Sequence, residues 1–292
     1  MKLKKLAKIL LSCVLAGALF TGCGGGQGGG DKPAQDSGKD VQLGMLTHLN
    51  TNETKMDELY NSLVEKSGIK NAKKFTPKFY ENLRTMQLAV ESGNVQEISL
   101  YKCVAEYLVA TNDKFEIVPN DALNKIQDLF CFAVRKEDTQ LKADLDKVID
   151  EMKSDGTLDK LISEYITNVD KKQAPPKIEI PTTDGAPKIK VGVTGDLPPL
   201  DYVNADGSAA GFNTALLAEV AKRLGRNIEL VQIETGSRAS ALTSNFIDVV
   251  FWAVVPFGND IFPADIDKPE GLDLSAPYFK DSVAHIKLKS DK

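Results

Sequence analysis

Histidine is almost missing from this chain: His48 and His285 are the only two in 292 residues. That excludes a His-rich metal site and leaves few ways to assemble a Ser/His/Asp triad. An excess of cations is missing too. Lys and Arg number 36 against 41 Asp and Glu, a net charge of −5, whereas nucleic-acid affinity rests on neutralising many phosphates. Nucleic acid is therefore not an expected partner. Tryptophan occurs once, as Trp252. No apolar run reaches bilayer length: the longest, residues 9 to 20, is a dozen residues, where a spanning helix needs about 20. What is present is ordinary globular composition, 42% hydrophobic and 26% charged, on a length that suits about two domains.

The apolar run follows Lys2, Lys4, Lys5 and Lys8 and ends in Phe20-Thr21-Gly22-Cys23, ahead of a Gly-rich run to Gly30. This is similar to a bacterial lipoprotein signal, with cleavage before Cys23 and lipid on its sulfur; an ordinary secretory signal with an incidental cysteine is the alternative. Residues 23–40 read as a flexible polar tether with nothing to bury. Removing 1–22 leaves 32 cations against 41 anions, a charge of −9. Cys13 leaves with the signal and Cys23 is lipidated. Cys103 and Cys131 then remain, either as two buried thiols or as one bond in a compartment that permits it. The implied location is extracytoplasmic, anchored to the membrane through Cys23.

Residues 171 to 187, KKQAPPKIEIPTTDGAP, carry four prolines in a polar stretch and read as an extended linker. Beyond it, Ile189, Val191 and Val193 predict a strand. Phe212, Leu216, Val220 and Leu224, with Leu217 and Ala221 beside them, predict a helix that stops at Gly225. IELVQI (228–233) predicts a strand and 237–245 a short helix. The nearly all-apolar run from Val249 to Val255 fits a strand buried on both faces of a parallel sheet. The order β-α-β-α-β indicates a doubly wound α/β unit. Before the linker the style repeats: strands at 41–46, 95–101 and 129–134, helices near 53–66, 79–91 and 104–110, and amphipathic helices carrying Leu141, Leu145, Val148 and Met152, then Leu158, Leu161, Ile162 and Tyr165.

Four segments resemble the family 3 extracellular solute-binding proteins, the amino-acid receptors of ABC importers. KIKVGVTGDLPPLDYVNADGSAAGFNTALLAEVAKRLG (188–225) resembles the family's opening. SRASALTSNFIDVVFW and LDLSAPYF are similar to its following segments, and FAVRKEDTQLKADLDKVIDEMKSDGTLDKLISEY (132–165) to its closing helices. The order is rotated: the family's ending precedes its beginning, and Val41–Met45 looks like the first strand of its second lobe. The resemblance implies a type II periplasmic-binding-protein-like α/β fold, two doubly wound lobes around a cleft, in circularly permuted order. Lobe 1 would comprise 136–168 plus 188–282, lobe 2 would comprise 41–135 plus 283–292, and 169–187 would be the linker. A domain-swapped dimer satisfies the same order, although a monomer is the simpler expectation.

Ligands of open α/β sheets bind beyond the carboxyl ends of strands. Those ends nominate Asp196, Tyr202, Arg238 and Trp252 in lobe 1, and His48, Asn50, Thr51 and Tyr101 in lobe 2. Each has a structural alternative: core for Trp252, turn or cap for Asp196 and Asn50, a solvated helix residue for Arg238, and a polar loop for His48. An inward Arg238 would suit a carboxylate. By the resemblance, amino-acid binders hold the α-carboxylate with an Arg just after the strand of Trp252, where this chain has Ala253 to Phe257. The α-ammonium partner, an Asp, aligns with Tyr101. Both clamps are missing, and a buried unpaired ion costs several kcal/mol, so an aromatic or apolar solute fits better than a standard zwitterion. The expected function is a lipid-anchored receptor that binds a small polar or aromatic solute by cleft closure and docks on an ABC permease, without enzymatic activity and without a cofactor or metal. The alternatives are an enzyme of dehydratase or lyase type, with Asp196 and His48 as its acid/base pair, and a sensor or scaffold with a degenerate pocket.

Overall fold

A computed structural model describes residues 41–67, 74–119, 126–173, 175–257 and 262–290. Residues 1–40, read above as a signal and a tether with Cys23 between them, lie outside the described residues.

Two parallel-stranded sheets are built to the same plan. In the first, β6 (Lys188–Val193) lies between β10 (Asn227–Gln232) and β11 (Val249–Phe257), all parallel. The antiparallel strand β5 (Gln127–Arg135) pairs with β11, and the short β12 (Leu272–Leu274) pairs with β5. In the second, β1 (Val41–Leu46) lies between β2 (Phe75–Tyr80) and β3 (Glu97–Tyr101), again parallel. The antiparallel β13 (Phe279–Leu288) pairs with β3, and the short β4 (Phe115–Ile117) with β13. Each sheet therefore runs second, first, third, visiting strand, short edge strand. The long strand β13 joins the two: its Phe279–Ser282 half pairs with β5 and its Val283–Leu288 half with β3 and β4.

Helices cover these sheets for the reasons their sequences give. In the first lobe, α4 (Thr139–Ser154) buries Leu145, Val148, Ile149 and Met152 along one stripe, and α5 (Thr157–Ile162) buries Leu158 and Leu161. The helix α6 (Gly211–Leu224) buries Phe212, Leu216, Leu217, Val220 and Ala221, and ends where Gly225 adopts φ 60°, the left-handed C-cap that glycine tolerates. The short α7 (Arg238–Thr243) precedes β11, whose Val249 to Val254 are buried on both faces. In the second lobe stand α1 (Glu53–Ser67), α2 (Leu83–Glu91) and α3 (Lys102–Thr111). A three-stranded hairpin sheet, β7 (Asp196–Leu197), β8 (Asp201–Val203) and β9 (Ala209–Ala210), follows β6.

One difference from the sequence reading has a physical cause. The helix expected from residue 79 begins at Leu83, because Phe75–Tyr80 is a strand. Pro77 argues against a central strand, but β2 is the outer strand of its sheet, where a missing N–H is tolerated. Cys103 and Cys131 are both buried and unbonded, one of the two outcomes the sequence allowed.

The core does not stop at the lobe boundary. One hydrophobic cluster includes Met86, Ile98 and Val104 of the second lobe, Phe130, Trp252 and Phe279 between the lobes, and Phe212 and Leu216 of the first. The lobes are closed on one another.

Candidate functional site

The first turn of the cleft is fixed by a carboxylate that the sequence reading did not nominate. Asp201 is buried and accepts the Thr194 N–H (2.6 Å), the Thr194 hydroxyl (3.0 Å) and the Gly195 N–H (2.9 Å). That hold pairs Asp196 with Tyr202 across β7 and β8. Asp196 Oδ2 then reaches the other lobe and accepts the Leu83 N–H at 2.6 Å, at the start of α2. Its Oδ1 is buried with no hydrogen-bond partner. Burial pushes the Asp196 carboxyl up to about 6, against the opposing pull of the Leu83 N–H.

Arg238 lies only 1% exposed at the start of α7. Its Nε donates to Thr235 O, Nη1 to Trp252 O and Nη2 to Thr47 O, each at 2.8 Å. The last bond crosses to the second lobe. Its guanidinium carbon stands 3.8 Å from the centre of the Trp252 ring, a cation–π stack. Burial lowers the Arg238 pKa to about 10, with Asp267 opposing; it stays a cation at neutral pH. Arg238 is thus neither a solvated helix residue nor a carboxylate's partner here: its bonds go to backbone carbonyls.

Trp252 is 5% exposed and its indole N–H has no partner. Tyr101, at the junction of β3 and α3, sets its ring edge-on to Trp252 (5.9 Å between centres) and 4.5 Å from Phe130. These rings fill the middle of the cleft. What remains is a cavity of about 70 Å³ whose lining includes His48, Tyr101, Asp128 and Trp252. That is room for a few waters at most, whereas ligand pockets begin near 300 Å³.

His48 lines that cavity and, with Asn50 and Thr51, packs on the segment 266–268 of the first lobe. The Thr51 hydroxyl donates to Ile266 O at 2.8 Å, and the Asn50 side chain to Lys268 O at 3.2 Å. Asp267, 2% exposed, accepts the Asn50 N–H at 3.0 Å, and its other oxygen stands 3.5 Å from His48 Nδ1, an ion-pair distance too long for a strong hydrogen bond. Burial pushes the Asp267 carboxyl up, but His48, Arg238 and the Asn50 N–H together hold it below its ordinary value. Asp128 faces the same region from β5 and sits directly opposite Asp281 of β13 in the strand register. Burial, with Asp267 and Asp281 adding to it and His48 opposing, raises Asp128 to about 6.

A further contact closes the lobes. Glu81 Oε2 accepts the Gly236 N–H at 2.7 Å, and the Thr235 N–H donates to Glu81 O at 3.2 Å. The nominated residues therefore form three sets: Arg238, Trp252 and Tyr101 at the centre; Asn50 and Thr51 on the 266–268 segment, with His48 reaching from there to the central cavity; and Asp196 with Tyr202 on the opposite side. Asp196 and His48 share no hydrogen bond or ion pair among the described residues. Asp267, Asp128, Glu81 and Asp201 were not nominated. Asp267 sits in a polar stretch without periodicity, and the register that sets Asp128 against Asp281 joins residues far apart in the chain.

Two like-built α/β lobes, joined by a strand shared between their sheets and facing each other across a cleft, define a binding fold of the type II periplasmic-binding-protein class. Residues 44–168 and 189–256 match the family described as bacterial extracellular solute-binding proteins, family 3, and the chain belongs to that family. A probable histidine-binding protein of Campylobacter jejuni is 30% identical over 105 residues, 35% of this chain and 37% of that protein. The chain thus spans little more than a third of the curated relative it matches. Among solved structures, Peb3 from Campylobacter jejuni is similar over 86% of this chain and 87% of its own, with a TM-score of 0.42 and 11% identity. A nutrient-binding protein from Burkholderia cenocepacia bound to methionine is similar over 85% of this chain and 84% of its own, with a TM-score of 0.40 and 9% identity. No helix among the described residues is long and apolar enough to cross a membrane.

Proposed function

We propose that this chain is a lipid-anchored, extracytoplasmic receptor of an ABC importer that binds a small amino-acid-like or aromatic solute between its lobes. The observation that carries the reading is the closure itself. The two lobes meet through hydrogen bonds from the carboxyl ends of both sheets, including Arg238 to Thr47, Leu83 to Asp196 and Gly236 to Glu81. Such contacts are what a hinged pair exchanges when it closes. An amino-acid-like solute is favoured by the family and by the histidine-binding name of its relative.

The segment order is a circular permutation in this proposal. The sequence reading put 41–135 in lobe 2, but β5 pairs with β11 in the first sheet, so here lobe 2 is 41–126 plus 283–292, lobe 1 is 127–168 plus 188–282, and 169–187 joins the family's usual ends. Supporting it, the chain threads the second sheet through β3 and β4 before β5, and returns along β13 only at the close. The chain acts as a monomer, tethered through Cys23, and hands its solute to a permease. It is not an enzyme in this reading: the acid/base pair that catalysis would use is separated, with Asp196 bound to Leu83 and His48 beside Asp267.

The test is a thermal-shift screen of the purified protein against amino acids, amines, organic acids and sugars, followed by calorimetry on any hit. A saturable one-to-one complex supports the receptor. Absence of any shift across the panel refutes it in favour of a degenerate pocket.

A further inference from the structure

The segment 169–187 leaves the first lobe after α5 and returns to it at β6, yet its opening residues touch the second lobe. Those residues form a preformed turn. The Asp170 side chain accepts the Lys172 N–H at 3.0 Å and a side-chain N–H of Gln173 at 2.8 Å, and the Gln173 N–H donates to Asp170 O at 3.1 Å. This Asx-type closure holds 170–173 in one shape. Further along, the Asn204 side chain donates to Pro175 O at 3.3 Å and the Ile178 N–H to Ala209 O at 3.0 Å, which fastens the segment to the hairpin sheet of the first lobe. We propose that the turn 170–173 is a latch: it moves with the first lobe and catches α3 of the second, holding the lobes closed when no solute is bound. The proposal goes beyond the receptor reading and requires no particular solute.

Two contacts make the catch. Lys171 Nζ stands 2.9 Å from Glu106 Oε2, a charge-assisted hydrogen bond. The hydroxyl of Tyr107, a buried residue, donates to Gln173 O at 3.3 Å. Glu106 and Tyr107 are consecutive on α3, so both contacts fall on one spot of the helix. Around that spot the lobes are not packed solid. A groove of about 700 Å³ is lined by α2 and α3, by β7 and β8, and by this turn, so the turn spans a space that is otherwise largely open. The consequence for binding follows from the packed centre of the cleft. With only about 70 Å³ left among its rings, the closed form shown here has no room for a solute, and the form that admits one is opened. Apparent affinity is the intrinsic affinity scaled by the fraction of molecules that are open. A partly exposed ion pair shifts an equilibrium by a few-fold, which matters where two hinged states lie close in free energy. The latch therefore sets how readily the cleft opens, and weakening it raises the open fraction.

The experiment is double electron–electron resonance on the full protein without added solute. Nitroxides are placed through Leu88→Cys on α2 and Phe246→Cys on the first lobe, both exposed positions, while Cys103 and Cys131 are buried. Three changes are made in that labelled parent. Lys171→Glu sets two carboxylates against each other, the swap Lys171→Glu/Glu106→Lys restores opposite charges, and Tyr107→Phe removes the hydroxyl alone. The parent should show one dominant distance. Lys171→Glu should raise the population at a second distance at least threefold, Tyr107→Phe should raise it by less, and the swap should return it to near the parent's. Lys171 and Glu106 are both partly exposed, so folding is not at stake, and circular dichroism checks it. An unchanged distance distribution in Lys171→Glu would overturn the latch. A swap that stays as open as Lys171→Glu would overturn it too, as would a parent that is already open. The receptor reading is decided separately, by the thermal-shift screen, and stands or falls independently of these outcomes.

Discussion

Asp128 offers a quantitative test of how tightly the lobes enclose their charges. It sits in the cavity wall, opposite Asp281 across the two strands that link the lobes. Burial, reinforced by Asp267 and Asp281, moves its pKa from 3.8 to about 6. At 1.36 kcal/mol per pH unit that displacement costs the folded protein about 3 kcal/mol at neutral pH. The sign follows from proton binding. Between pH 4 and 6 the folded state holds the proton more firmly than the unfolded chain, so stability falls as pH rises through that window and levels off above it. Asn cannot ionise, so Asp128→Asn removes this loss. Urea unfolding of both proteins at pH 4 and pH 7.5 should show the variant gaining about 2–3 kcal/mol on the wild type between the two conditions. Asp281 and Asp196 are also raised by burial, but they remain in both proteins and largely cancel in the difference. A stability difference that is the same at both pH values would refute the enclosure of Asp128.

Other outcomes follow from the same contacts. Trp252, buried against Arg238, should emit at short wavelength and resist acrylamide quenching, and Arg238→Ala should lower quenching resistance sharply; easy quenching in the wild type would contradict the packed centre. A Cβ at Gly236 would stand 2.5 Å from Glu81 Oε2, displacing the flexible end of a side chain rather than backbone. Gly236→Ala should therefore loosen closure without unfolding, seen as a larger radius of gyration in X-ray scattering with an unchanged circular dichroism spectrum. Burial lifts the Cys103 and Cys131 thiols well above their ordinary value, Cys131 to about 12. Peptide mapping should find both unlabelled by iodoacetamide in the native protein and labelled in urea.

Much of this architecture was legible because it is local. The stripe on α6 and its Gly225 stop, and the doubly buried run of β11, each announce themselves within a few residues. The strand β2 did not, because Pro77 and Lys78 fit an outer strand and only the sheet order reveals that it is one. Site residues were nominated by strand ends, which locate a backbone but not where a side chain turns. Arg238 could be placed near the cleft, yet its three carbonyl partners come from Thr235, Trp252 and Thr47, one of them 191 residues away. Asp267, Asp128 and Glu81 matter through cross-lobe pairings, and such pairings leave no periodicity in a sequence. The latch depends on Tyr107 meeting Gln173, residues of no shared motif.

The claim beneath all of this is that stretches on either side of the prolines face each other within one molecule. The Asn82 side chain donates to Glu234 Oε2 at 3.3 Å across the lobes, so a pair of cysteines placed there reports on it directly. In Asn82→Cys/Glu234→Cys, a short bis-maleimide, which spans more than the narrow Cβ spacing of a disulfide, should cross-link the two within a single chain, identified by mass spectrometry and running as a monomer on a denaturing gel. A cross-link found only between two chains would mean exchanged lobes, and no cross-link although both cysteines are labelled would mean that these surfaces do not meet; either result would contradict the account.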